Sequence, residues 1–566
     1  MPGVLISVLL LAPTLVAGLD WKYEDESYWA KEIARYPKNE TVFPTTAEGV
    51  SYFSVGSVEW PQFQTTDEDL SVSLPPGAYI AAELGENFVV SEVYQIKSDS
   101  SAQAFMHGAY PVNGGSFEAF DSAAIPVPPA VGNGPLGGLR FAVKDIFHIK
   151  GLKTSGGSRS YYNTYGPQNY TTEVVEKSIV AGARMVGKTK TIAFALGTPR
   201  NGWEVDYQDP WNLRGDGYQT TGGSSSGSSS AITAYEWLDF TIGSDTGGSV
   251  RFPARFAGFY GYKPTHGIYN LTGILVAIAE QDTPGHMARS PAVFTQVYDV
   301  WSNNTPLANA PTTLPSQLQF WSDEAPLTQP AAEAMKQNFF SNVTTALNLT
   351  TFSRNLTASH IEVFGTGNYS EYYNTVYADQ NSVQFYDEIG ADLVETFGAL
   401  NDGAFPPSDP VVNLTFADGV NETTRARYPE SQAKRAAYAE WFNTEILPAS
   451  NDSAVCTDYI VAHSLHVPPS TVKYNQTPFT LVRGFYNGLQ ASFAGTPEIV
   501  VPIGQITYFS PFTLKEEYQT VTVAFQAPRG CDGTLMELVR VLTEQGLLKE
   551  VMPGKTAYEA GVTEAW

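Results

Sequence analysis

Residues 182–189 read GARMVGKT, and the direction in which the chain enters this stretch decides the fold. The spacing satisfies the phosphate-loop pattern G-x-x-x-x-G-K-[ST]. A phosphate loop leaves a strand and opens a helix, so that backbone N–H groups and the helix dipole face the phosphates. Here the order is reversed. TTEVVEKSIVAGA (171–183) carries helical spacing and comes first, and RMVGKT (184–189) reads as the strand that follows. Nucleotide binding is therefore set aside, and Lys188 is a strand-end lysine. Working outward, LRFAVKDIF (139–147), this helix, RMVGKT, a serine-rich stretch after 222 and DFTIGSDT (239–246) alternate strand and helix, the pattern of an α/β sheet. The pattern resumes in TPEIVVPIG (496–504), QTVTVAFQAP (519–528) and CDGTLMELVRVLTEQG (531–546). The last reads as a helix capped by Asp532 or Thr534, apolar along Leu535, Leu538, Val539 and Leu542, and stopped at Gly546.

The whole chain sets bounds on this core. Its 566 residues, 43% of them hydrophobic, suffice for a large α/β domain with additions. A formal charge of −25 argues against nucleic acid or an anionic membrane as partner, because both require a basic face. Residues 1–18 run apolar from Val4 and end in Val16, Ala17 and Gly18, as a secretory signal peptide does, although no Lys or Arg precedes the apolar core. Asn-x-Ser/Thr acceptors stand at Asn39, Asn169, Asn270, Asn303, Asn342, Asn348, Asn355, Asn368, Asn413, Asn421, Asn451 and Asn475, the expectation for a secreted, N-glycosylated eukaryotic protein with no membrane anchor in its mature chain. Two cysteines, Cys456 and Cys531, read most simply as one disulfide closing a long loop, with two buried thiols as the alternative. No cysteine cluster suggests a metal.

Residues 19–120 read as a β-rich extension with one helix-like stretch, DESYWAKEIARY (25–36). DSAAIPVPPAVGNGPLGG (121–138) is rich in Pro and Gly and reads as a linker, which starts the main domain at 139 and runs it to 566. Residues 300–460 are less regular, hold most of the acceptor asparagines and read as peripheral elaboration around a helix at 432–447.

Two serine-bearing stretches compete for chemistry. Gly223–Gly227 (GSSSG) fits the G-x-S-x-G nucleophile elbow, which would make Ser225 a nucleophile served by His463 or His466. That elbow requires a strand directly before it, whereas LRGDGYQTTG (213–222) reads as a loop. The other combination joins separated pieces: Lys144 in its apolar strand, the serines of Gly222–Gly227, and Ser249 in GSDTGGSVRFPA (243–254). Burial drives a lysine toward the neutral amine, a base. A serine needs a base to become a nucleophile, and loop serines can pass its proton on. Gly247 and Gly248 let neighbouring N–H groups converge as an oxyanion hole requires.

In this combination the sequence resembles the amidase signature family, whose members cleave amides with a Ser-Ser-Lys triad. GGLRFAVKDIFHIKGLKTSGGS (137–158), AGARMVGKTKTIAFALGT (181–198), DPWNLRGDGYQTTGGSSSGSSSAI (209–232), IGSDTGGSVRFPARFAGFYGYKPTHG (242–267), QDTPGHMARSPAVF (281–294) and SFAGTPEIVVPIG (492–504) carry the resemblance, in the family's order. It implies a twisted mixed central β-sheet covered by helices on both faces. It also implies Lys144 as base, Ser249 as nucleophile and Ser224 as the bridging serine, which in the family follows a cis-like peptide bond. Ser225 is the alternative bridge if the separation from Ser249 is counted instead. Backbone N–H groups from Thr246, Gly247 and Gly248 to Ser249 would form the oxyanion hole, with Asp245 and Arg251 as supporting charges. The resemblance implies no metal and no cofactor, and a small-molecule or peptide amide as substrate. Lys190 stands where the family strand commonly carries asparagine. A catalytically silent binding glycoprotein on the same scaffold is the rival expectation.

Overall fold

The structure is a computed structural model that describes residues 19–23, 26–37, 50–55, 64–65, 74, 76–84, 86–197, 204–465, 481–559 and 561. The signal-peptide stretch, Asn39, His466 and Asn475 lie outside the described residues.

Nineteen strands are described. β1 (Leu19–Tyr23), β2 (Glu26–Pro37), β3 (Val50–Val55), β4 (Gln64–Thr65), β5 (Gly77–Leu84), β6 (Asn87–Ser98) and β9 (Ala124–Val127) form an N-terminal sheet in the order β1-β2-β6-β5-β3-β4, with β9 also on β6. The other strands are β7 (Phe105–Val112), β8 (Ser116–Ala119), β10 (Arg140–Lys144), β11 (Arg184–Thr189), β12 (Phe240–Asp245), β13 (Tyr260–Lys263), β14 (Thr283–Ala288), β15 (Gln317–Trp321), β16 (Thr350–Arg354), β17 (Tyr459–His463), β18 (Glu498–Phe509) and β19 (Glu516–Gln526). They make one twelve-stranded mixed sheet, ordered β16-β15-β17-β19-β18-β13-β14-β12-β10-β11-β7-β8. β10 lies parallel to both β11 and β12, whereas β12 and β14 run antiparallel.

Four expectations from the sequence give way to the structure. Residues 26–37 form strand β2, not a helix: β6 pairs with it along its length, and from Ile33 to Pro37 exposure alternates with the period of two that a strand imposes. The 121–138 stretch is not a linker between domains, because it contains β9, hydrogen-bonded to β6. The boundary at 120 fails as well: β7 pairs with β11 and β8 with β7, so these strands already extend the main sheet before residue 120. Nor is 300–460 merely peripheral, since β15 and β16 complete the sheet's opposite edge and β15 pairs with β17.

At the centre, burial on both faces explains the sequence. β12, FTIGSD, is buried at every position, and β10, RFAVK, at all but Arg140, so neither shows the alternation of a half-exposed strand. The Gly/Ser-rich stretch is a buried helix, Ser226–Ala234, packed on these strands. Small side chains let it approach closely: a methyl group on Gly227 would collide with the backbone of Lys190 and Ala104. Two of its hydroxyls bond to backbone, Ser228 Oγ donating to the Ile242 carbonyl at 3.1 Å and Thr233 Oγ1 to the Ser229 carbonyl at 2.7 Å. The C-terminal helix spans Asp532–Glu544 with Cys531 at its N-cap, and it buries Leu535, Leu538, Val539 and Leu542. Cys531 is disulfide-bonded to Cys456.

Candidate active site

Lys144 is the last residue of β10, and its side chain is completely buried. Its Nζ lies 2.8 Å from Ser224 Oγ and 2.9 Å from Ser244 Oγ. Burial pulls the amine down to about 7, partly opposed by the carboxylates of Asp282 and Asp245. As ammonium it donates to both hydroxyls; as neutral amine it accepts from one of them. Ser244 belongs to no expected site, yet it sits on β12, next to β10 and close before Ser249. The strand register that places Lys144 beside this hydroxyl leaves no local motif.

Ser224 opens the turn into the serine-rich helix, and its peptide bond to Gly223 is cis. Its carbonyl accepts from Thr191 Oγ1 at 3.1 Å and from the Ile192 N–H at 3.2 Å, which ties the turn to the segment after β11. Ser225 points elsewhere, its Oγ donating to the Ser244 carbonyl at 3.3 Å, and its N–H donates to the Ser249 carbonyl at 3.3 Å. Ser249 follows the two glycines after β12 and is 8% exposed, whereas Ser224 and Lys144 are sealed. Ser249 therefore meets solvent while the other two do not.

The loop bearing Ser249 is folded around a carboxylate. Asp245 Oδ1 accepts the Gly248 N–H at 2.8 Å, and Oδ2 accepts the Val250 N–H at 3.1 Å and the Arg251 N–H at 3.3 Å. Gly248 must accordingly be removed from the expected oxyanion donors, because its N–H is committed to Asp245. Gly248 also has φ +126°, a conformation that favours glycine. Arg251 clamps Asp245 from the side, with Nε 3.0 Å from Oδ2 and an Nη2 contact of 2.8 Å to Oδ1. Its Nη1 donates to Glu498 at 3.0 Å, and Glu498 in turn meets His463 Nε2 at 3.2 Å. Burial acts to raise the Asp245 carboxyl, but the Arg251 guanidinium, together with Lys263 and the Val250 N–H, holds it down to about 2. Thr246 Oγ1 donates to Asp282, which also accepts the Ala277 and Ile278 N–H groups at 2.6 and 3.2 Å. Burial still raises Asp282 to about 6.

His463 is thus committed to Glu498 rather than to Ser225, which removes it as the base of an elbow-type esterase site. Lys188 is buried against Asp145 and donates to Thr154 Oγ1 at 3.0 Å, a structural ion pair rather than a phosphate ligand. Lys190 donates to the Gln208 carbonyl at 3.0 Å. Among the described residues no group of His, Cys, Asp and Glu could hold a metal ion, and no helix is long and apolar enough to cross a membrane.

Ser249, Gly223, Gly247 and Gly248 line one wall of a cleft. The facing wall comes from Tyr377 and Asn381 of helix Val376–Phe385, Val411 and Thr415 of helix Pro410–Gly419, and Tyr486. No local signature marks these residues, since only the tertiary fold brings 376–415 over the Ser249 loop. Leu196 and Gly197 add a further edge beyond Phe194 and Ala195, two buried residues at φ +51° and +61°.

Comparison with known proteins agrees with this architecture. The chain matches the family described as Amidase over residues 127–536. Amidase 1 of Oryza sativa subsp. japonica is 37% identical over 188 residues, which are 33% of this chain and 42% of that protein. Amidase 1 of Arabidopsis thaliana is 37% identical over 186 residues, 32% of this chain and 42% of that protein. The matched segments thus span less than half the length of these relatives. Among solved structures, allophanate hydrolase of Kluyveromyces lactis superposes with TM-score 0.55 at 19% identity, covering 75% of this chain and 65% of that one. Native peptide amidase from Stenotrophomonas maltophilia gives TM-score 0.53 at 19% identity, covering 75% and 85%. The structural likenesses establish the shared twisted mixed-sheet fold. With more than half of its length matched, the chain belongs to the amidase family.

Proposed function

We propose that this protein is a secreted, N-glycosylated serine hydrolase that cleaves carbon–nitrogen amide bonds through a Ser249–Ser224–Lys144 relay. The observation that carries the proposal is the buried Lys144 amine at 2.8 Å from Ser224 Oγ, behind a nucleophile loop that opens to a cleft. Neutral Lys144 takes the Ser224 proton as Ser224 takes that of Ser249. The Ser249 oxygen forms a bond to the substrate carbonyl carbon, and the carbonyl π electrons move to oxygen. N–H groups of Thr246, Gly247 and Ser249 receive that oxyanion. The relay returns the proton to the amide nitrogen, the C–N bond breaks, and the amine departs. Water then repeats the sequence on the acyl-enzyme and releases the acid. Asp245 and Arg251 hold the loop in shape, and the scheme uses only protein groups.

Secretion is supported by the acceptor asparagines and the disulfide. Of the ten acceptors within the described residues, nine are exposed and Asn342 is half-buried. The disulfide fits an oxidising compartment.

Intact mass after treatment with a small fluorophosphonate tests the mechanism. Wild type is expected to gain one adduct, Ser249→Ala none, and Lys144→Ala to react far more slowly. An adduct that survives Ser249→Ala would overturn the assignment. Enzymatic removal of N-glycans should lower the mass of the secreted protein; an unchanged mass would reject glycosylation.

A further inference from the structure

The cleft over Ser249 is lined, among the described residues, by no charged side chain. Three rings surround the nucleophile loop: Phe252 and Tyr486 have centroids 6.0 Å apart, and Tyr377 meets Tyr486 at 6.3 Å with planes at 76°. Leu196 and Val411 continue the apolar lining, and its polar members, Asn381 and Thr415, are neutral. The Tyr486 hydroxyl sits directly above Gly247, close enough that a methyl group on that glycine would collide with it. The Tyr377 hydroxyl also reaches the space over Gly247, and burial raises both phenols above ordinary tyrosine. As neutral phenols they offer O–H donors to a ligand in the cleft.

Resting on the amide-hydrolase reading, we infer that the cleft selects uncharged aromatic amides, packing the ring against Phe252, Tyr377 and Tyr486, with the phenol pair hydrogen-bonding a polar atom of the substrate. A carboxylate or ammonium entering this cleft would lose hydration without meeting a counter-charge among the described residues, a penalty a neutral ring does not incur. Ring-to-ring contacts favour an aryl group over an alkyl group of equal area. Amidated peptides with a free N-terminus, which bring its ammonium, are disfavoured on the same ground.

The test uses matched substrates on wild-type protein: benzamide against 4-carboxybenzamide and 4-(aminomethyl)benzamide, acetanilide against 4-acetamidobenzoate, and hexanamide as the alkyl control. The expected result is a kcat/KM at least tenfold higher for a neutral aryl amide than for its charged partners and for hexanamide. Tyr486→Phe should raise KM for the neutral aryl amide about tenfold with a smaller change in kcat, whereas a purely structural role would lower the folded fraction without splitting the two. Charged substrates turned over as well as neutral ones, or fluorophosphonate-reactive enzyme that cleaves none of the aryl amides, would overturn the inference while leaving the serine mechanism standing. Absence of labelling at Ser249 would instead reject the mechanism itself. Calorimetric titration of Ser249→Ala with benzamide and 4-carboxybenzamide reads the cleft without turnover, and tighter binding of the anion would count against the inference.

Discussion

Lys144 pays for its position with its proton affinity. An amine at about 7 in the folded protein and near 10.5 when free penalises folding wherever the folded state must hold the charge. Between those values the unfolded chain binds the extra proton, so stability rises with pH across that window; the penalty is full below about 7. Lys144→Met is therefore expected to abolish turnover yet raise stability by about 1–2 kcal/mol at pH 6, measured by urea unfolding. In the wild type, kcat/KM should climb with pH through about 7 as the amine becomes a base, and a flat profile down to pH 5 would contradict the assignment. Arg251 lies at the other extreme. It is buried between Asp245 and Glu498, so Arg251→Met strands two carboxylates and should cost about 3–5 kcal/mol, with labelling at Ser249 falling in step.

Among elements, the serine-rich helix 226–234 shows what the sequence made legible and what it hid. Its composition imitates a flexible linker, yet its neighbours on both sides are patterned elements, and the small residues are what two strands and a catalytic turn require at close approach. Gly227→Ala should destabilise by about 1–3 kcal/mol through overpacking against Lys190 and Ala104, detectable as a lowered thermal midpoint. The meeting of Lys144 with Ser224 and the place of Ser249 in the cleft were legible because each residue lies in a distinctive stretch whose chemistry is incomplete alone. The strand β2 was not, because YWAKEIARY spaces its apolar residues compatibly with both periods, and pairing with β6 decides between them. The cleft's far wall was illegible for a different reason: Tyr377, Val411 and Tyr486 lie far from Ser249 in the chain and belong to no motif. Gly248 shows the limit of spacing arguments, since a glycine placed for an oxyanion hole gives its N–H to Asp245.

At the scale of the whole molecule, long-range ties matter more than local ones. The Cys456–Cys531 bond closes a loop of 75 residues and anchors the helix whose Asp532 accepts from Tyr262 and Thr265. Replacing both cysteines by serine should cost ~4 kcal/mol by loop-closure entropy, read from denaturant unfolding under non-reducing conditions. The seating of β7 on β11 has a further result. The family match begins at residue 127, but the strand that covers β11 lies before it, at 105–112. The amidase core therefore is not a detachable module. A fragment beginning at Leu139 would bare the N–H and C=O row of Gly187–Thr189 as an open seam, free to stitch onto the same seam of another copy.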